Sequence, residues 1–140
     1  MAEWTYYAGK KAGLEKSIEL IRRFGVMWRG AHDRNGALIA NVRHLRPGDT
    51  LHFVHRRSGR ARYIFKAAID RPGAPVAGVP AIGRIGGRAA DELARAGYEP
   101  STVGTMDVIH LHDLQEIDGW PDVDPPQGQT ALRPGAPALL

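Results

Sequence analysis

Hydrophobic positions change period several times along the chain, and each change marks an element. Residues 3–8, Glu-Trp-Thr-Tyr-Tyr-Ala, are short, aromatic and rich in β formers, which predicts a first strand. From Ala12 to Phe24 the period becomes helical: Leu14, Ile18 and Ile21 fall on one side, charged residues lie between them, and Gly25 supplies the stop. Val26 to Gly30 reads as a short strand or extended turn. Ala31 to Arg46 allows one or two helical turns after the Asn35-Gly36 turn signal, before Pro47-Gly48-Asp49 breaks the chain. Strict alternation follows, with Thr50–Arg56 and Ala61–Ile69 as two strands joined by a hairpin loop, Arg57-Ser58-Gly59-Arg60. In the second of these, Tyr63, Phe65, Ala67 and Ile69 are expected on one face.

Arg71 to Gly87 is dense in Pro and Gly and is expected to be a long loop. Arg88 to Ala96 predicts a short helix ended by Gly97. Met106 to Leu114 predicts a last strand, with Ile109 and Leu111 on one face and His110 and His112 on the other. The expected fold class is therefore α+β: a curled sheet or pseudo-barrel with two or three helices packed around it. Residues 1–120 form one domain in this reading. Residues 121–140, rich in Pro and Gly, are expected to be a mobile tail.

Composition narrows the function classes. A chain of 140 residues suits one domain and excludes separate cofactor and substrate lobes. The absence of Cys removes thiol nucleophiles, zinc-thiolate sites and iron–sulfur clusters. No basic leader precedes an apolar run and no apolar stretch is long enough to span a bilayer, so a cytoplasmic protein without a membrane partner is expected. Charge adds more. The net +4 conceals a split: residues 1–66 carry 14 Lys and Arg against 5 Asp and Glu, while residues 67–140 carry 5 against 10.

The basic excess gathers in the hairpin. Arg56, Arg57, Arg60, Arg62 and Lys66 fall in a window without one acidic residue, and Arg43, His44 and Arg46 shortly precede it. Solubility alone would be met by Lys, whereas a planar guanidinium suits phosphate. These residues predict a nucleic-acid backbone contact, with Arg43, Arg56, Arg57, Arg60 and Arg62 as the contacting set. A charge-protected strand edge, or a hairpin that docks an acidic protein partner, are the competing readings. Phosphate contacts carry no sequence information, so something else would read a base. Trp4, Tyr6, Tyr7, Trp28 and Trp120 offer rings for that purpose. Taken singly, each is more simply a core residue. Trp28 stands apart because it lies in Trp-Arg-Gly-Ala-His, outside any apolar run.

These segments in order resemble the EVE domain, a family of the PUA-like superfamily that also contains the YTH and ASCH domains. The resemblance rests on Trp4, the 12–24 helix, Trp28-Arg-Gly30, Gly48-Asp49 with Phe53-Val-His55, and the strand Arg62-Tyr-Ile-Phe-Lys-Ala-Ala-Ile69, with a plausible last strand at 106–114. It implies a PUA-like pseudo-barrel whose pocket accepts one flipped base, such as a 5-methylcytosine-type modified base, with DNA favoured over RNA. It further implies that Trp28 lines the pocket, that Tyr6 and Tyr7 to Ala8 form another wall, and that His55 sits at the rim. Asn41 and His55 are the candidates for contacts to the base edge, although Asn41 equally suits a helix-end cap.

Catalytic readings are thinner. His52 and His55 share one strand and His110 and His112 another; if the two strands were neighbours, a small metal-dependent enzyme would be conceivable. Strand His-x-His pairs are more often solvent-facing, so no metal or other cofactor is expected. The run Ile82-Gly-Arg-Ile-Gly-Gly87 lacks the Gly-Lys-Ser/Thr ending of a phosphate loop. No Ser/His/Asp order or paired carboxylates stand out, and no catalytic residue is assigned.

Overall fold

A computed structural model describes residues 1–8, 14–28, 37, 41–57, 60–98, 105–119 and 132–137. Its elements are β1 (Glu3–Ala8), α1 (Leu14–Phe24), β2 (Val26–Trp28), a 3₁₀ turn (Val42–His44), β3 (Thr50–Arg57), β4 (Arg60–Ile69), β5 (Pro75–Val76), β6 (Val79–Gly86), α2 (Gly87–Ala96), β7 (Thr105–Gly119) and β8 (Leu132–Pro134). The fold is α+β, a strongly curled mixed sheet with two helices. Strand order is β5-β6-β7-β4-β3-β1-β8, with β2 branching from β7. Among the described residues only β1 and β3 run parallel.

The curl is organised by β7. The Asp70 N–H donates to the His110 carbonyl (2.8 Å), while the Leu111 N–H donates to the Gly25 carbonyl (2.7 Å). The carbonyl of one residue and the amide of the next point to opposite strand edges, so β4 and β2 flank β7. Val108 pairs with both Gly83 of β6 and Trp28 of β2. Hence β6 and β4 share one edge of β7, β6 along its first half and β4 along its second. Asp113, with φ 53°, marks a bulge between the Ala68–His112 and Lys66–Gln115 pairs, and such an extra residue bends a strand. The 3₁₀ turn helps close the result. Val42 and Leu45 are fully buried in the core, the turn packs on β6, and the Asn41 Nδ2 donates to the Leu132 carbonyl of β8 at 2.9 Å.

Alternation decides what is buried. Trp4, Leu51, Phe53, Phe65, Ala67, Ile69, Ile109 and Leu111 face the main core, joined by Ile18 and Ile21 of α1. A second cluster unites Leu20, Val26, Ala90, Tyr98, Met106 and Val108, under α2. The Gly25 stop operates as expected: its φ is +66°, and a side chain there would meet the Leu111 carbonyl at 3.0 Å.

Three expectations are corrected. The segment 71–87 is not a loop. It contains β5 and β6, with Val79, Ala81 and Ile82 fully buried. Its glycine is a packing device: a Cβ on Gly83 would lie 2.7 Å from the Cβ of Pro72, so the chain folds back closely only with glycine there. Second, part of the expected tail is structured. Leu132–Pro134 pairs antiparallel with Trp4–Tyr6, and Leu132 enters the main core; residues 121–131 lie outside the described residues. Third, β4 carries an irregularity between the Phe53–Phe65 and Val54–Tyr63 pairs, which moves position 63 off the Phe65 face.

Tyr98 yields a stability prediction. Its hydroxyl donates to the buried Val26 carbonyl, and burial pushes the phenol pKa up to about 12. The folded chain then holds this proton more tightly than the unfolded chain, whose value is 10.0. The stabilisation is full below the unfolded value and drains as pH rises from there through the folded one. Urea midpoints measured between pH 9 and 12 are expected to fall steeply in the native protein. They should fall less in Tyr98→Phe, which loses about 1–2 kcal/mol at neutral pH through the orphaned carbonyl. Tyr7, whose pKa is also raised by burial, accounts for part of the remaining slope.

Candidate nucleic-acid interface

The mouth of the curled sheet is built from the start of β3 outward. Gly48 and Asp49 lead into β3, and Asp49 is 3% exposed. Its carboxylate accepts from the Ala2 N–H (3.0 Å), the Trp4 indole (3.0 Å) and the Arg46 N–H (2.9 Å). One side chain thus ties the chain start, β1 and the turn before β3 together. From that anchor the β1–β3 register runs Trp4–Leu51, Tyr6–Phe53 and Ala8–His55. An aromatic row crosses three strands: Tyr6 lies tilted on Phe53 with centroids 5.4 Å apart, and Phe53 stacks on Phe65 at 4.8 Å. Phe53 and Phe65 are buried, whereas Tyr6 at the end of the row is only partly so.

Beyond the row comes the basic hairpin. Its backbone register pairs His55 with Arg62, Arg56 with Ala61 and Arg57 with Arg60. Alternation along β3 places positions 55 and 57, with their partners 62 and 60, on the face that carries Phe53 and Tyr6. Position 56 falls on the opposite face. The side chains of His55, Arg56, Arg57, Arg60 and Arg62 lie outside what is described, as do residues Ser58 and Gly59.

The remaining expected site residues disperse. Tyr7 does not share the face of Tyr6; it packs with Val54 and Ile117 in a separate cluster on the other side of the sheet. Trp28 sits on β2 opposite Val108, at a position on the Val26 side, whereas Met27 joins the main core; the Trp28 side chain is outside the described part. Level with Tyr6 and Phe53, by contrast, Phe65 pairs with Glu116, far along β7 from Val108. The ladders therefore do not set Trp28 beside Tyr6. Asn41 adopts φ 68° at the start of the 3₁₀ turn, makes no side-chain cap bond, and is engaged by β8 instead. Arg43 lies in that turn, exposed, at the end of β3 remote from the hairpin. Trp120 lies outside the described residues.

The histidines are likewise separated. β4 runs between β3 and β7, so His52 and the pair His110 and His112 are not on neighbouring strands. His52 is buried with its Nε2 3.0 Å from a Glu3 carboxylate oxygen. His112 stands 3.7 Å from Asp70 through Nδ1 and 3.7 Å from Asp113 through Nε2. Among the described residues no group of three or more His, Cys, Asp or Glu is arranged to hold a metal ion.

Two functional-looking carboxylates escaped the sequence reading. Asp49 was legible only as part of a Gly-Asp motif, with no sign of the donors it collects. Asp107, 4% exposed, accepts both Nε and Nη2 of Arg84 across the β6–β7 ladder (2.8 and 3.2 Å), a bidentate bond that raises the arginine pKa. Arg84 and Asp107 are 23 residues apart in the chain, and the Pro- and Gly-rich segment that holds Arg84 shows no strand period.

No family model matches the chain. No curated protein matches it either. A solved structure of a hypothetical protein from Leishmania major resembles it with a TM-score of 0.45 at 12% identity, covering 97% of this chain and 87% of that one. No helix among the described residues is long and apolar enough to cross a membrane.

Proposed function

We propose that this chain is a nucleic-acid-binding module that acts by recognition and not by turnover. The β3–β4 hairpin holds the phosphate backbone, and the face ending at Tyr6 receives an unstacked base, a 5-methylcytosine-type modified base in the EVE-like reading. One observation supports this above the others: the backbone register sets positions 55, 57, 60 and 62 on the face of a three-ring aromatic row whose outer member is partly exposed. Guanidinium groups supply affinity without sequence information, and a ring supplies a stacking platform for a base. In this reading the two halves of the task lie side by side on one face of the β1–β3–β4 sheet. DNA is the favoured substrate, with RNA as the arm that tests the choice.

The test is fluorescence anisotropy with matched DNA and RNA oligonucleotides, modified and unmodified, at 50 and 200 mM salt. Three phosphate contacts on duplex DNA would lower affinity by about 40-fold across that range. Tyr6→Leu, which retains apolar packing against Phe53, should erase the preference for the modified base and leave the salt slope intact. Salt-insensitive binding would refute the backbone contact. An equal loss on every oligonucleotide in Tyr6→Leu would refute the base platform.

A further inference from the structure

We infer that a nucleic-acid strand held at the hairpin also reaches a second phosphate-contacting cluster, Arg43, His44 and Arg46, beyond the opposite end of β3, whose own Leu51 to Val54 are buried. The inference rests on the function proposed above and extends it to the length of the bound tract. All three residues are exposed. Arg46 is already oriented: its Nη1 donates to the carbonyls of Arg43 (2.6 Å) and Leu45 (2.9 Å), so the guanidinium is held at one nitrogen. A guanidinium held this way loses less conformational freedom on meeting a phosphate. The Arg43 Nε donates to the His44 ring at 3.4 Å, so two basic groups lie side by side.

No carboxylate among the described residues pairs with any of the three. The acid nearest in sequence, Asp49, is buried and occupied by Ala2, Trp4 and the Arg46 backbone. Capping of the 3₁₀ turn accounts for one nitrogen of Arg46. It accounts for neither Arg43, nor His44, nor the lack of a carboxylate partner among the described residues. The hairpin lies at the other end of β3, an eight-residue strand. At about 3.3 Å per residue the two basic clusters are about 25 Å apart. A single strand stacked at about 3.4 Å per nucleotide covers that distance in about seven nucleotides. Short ligands can reach one cluster, and longer ones both.

Oligothymidylates of four, eight, twelve and sixteen nucleotides separate the alternatives. Arg43→Ala with Arg46→Gln should weaken the twelve- and sixteen-nucleotide strands by about five- to tenfold, flatten their salt slope by about 1.4, and leave the four-nucleotide strand unchanged. Arg57→Ala with Arg60→Ala should weaken every length. Arg43→Ala alone leaves the Arg46 bonds to backbone carbonyls in place, and should give about half of the slope change with an unaltered melting temperature. Native affinity of the Arg43/Arg46 variant for sixteen nucleotides, beside a weakened hairpin variant, would overturn this inference and spare the proposed function. Salt-independent binding unchanged by either variant would overturn both.

Discussion

Replacing Asp49 with Ala is expected to destabilise the protein by about 3–5 kcal/mol, the largest effect of any single side chain described. Three donors converge on this carboxylate: the Ala2 N–H, the Trp4 indole and the Arg46 N–H. The indole bond is fully buried, and the two backbone bonds are partly so. An orphaned buried donor costs about 1–3 kcal/mol, and water reaches only part of this site. Asp49→Asn should recover little. An amide keeps one acceptor oxygen but turns its NH₂ against donors, so about 2–3 kcal/mol is still expected to be lost. Trp4→Phe, which removes one of the three bonds and some ring area, should cost less than Asp49→Ala. Urea unfolding measures all three, read from midpoints at constant slope. A loss below about 1 kcal/mol in Asp49→Ala would mean that the site does not organise the start of the sheet.

The second large effect concerns the far end of the chain. A protein ending at Ala131 is expected to lose about 4 kcal/mol or more and to melt about 15 °C lower. That truncation removes Leu132, 3% exposed in the main core, together with the β8 ladder on Trp4–Tyr6. It also strips the Thr5 hydroxyl of its acceptor, the Gly135 carbonyl, at a position 2% exposed, and the Asn41 amide of the Leu132 carbonyl. Leu132→Ala alone should account for about 2–4 kcal/mol of the total. Arg133→Ala, at an exposed position of the same strand, should stay within about 0.5 kcal/mol. A truncated protein melting within about 3 °C of the native one would show that β8 adds no stability. Because Leu132 pairs with Tyr6, the same truncation should also impair the base preference assigned to that face.

The elements read most directly from the sequence were those with one clear period. β1, α1, the β3–β4 hairpin and α2 each present a repeat of two or of 3.6, and each has a turn residue or breaker at its end. The charge of the hairpin was equally visible, since four arginines fall within seven positions and need no partner to be noticed. β6 was not visible. It mixes Pro80 and Gly83 with Val79, Ala81 and Ile82, and adjacent residues are buried on both sides, so neither period emerges. β8 spans three residues, shorter than any window that reveals a period, and its burial depends on an edge of β1 that lies more than a hundred residues earlier.

By itself, the sequence determined the local content of this protein: a +9 half and a −5 half, an aromatic first strand, an amphipathic helix and an arginine-rich hairpin. These are properties of neighbouring residues, and neighbours suffice to express them. Which face each residue occupies, and whom it meets, was decided only by tertiary structure. Tyr6 and Tyr7 are adjacent in the chain yet lie on opposite sides of a sheet, because strand alternation assigns faces only once the register is set. Arg43 and the hairpin are close in sequence, but β3 extends between them and turns one presumed patch into two. Asp49 shows the same principle from the other side. It is one acidic residue among fifteen in composition, and it becomes an organising group because folding brings two distant donors, the Ala2 N–H and the Trp4 indole, to a carboxylate that already holds the nearby Arg46 N–H.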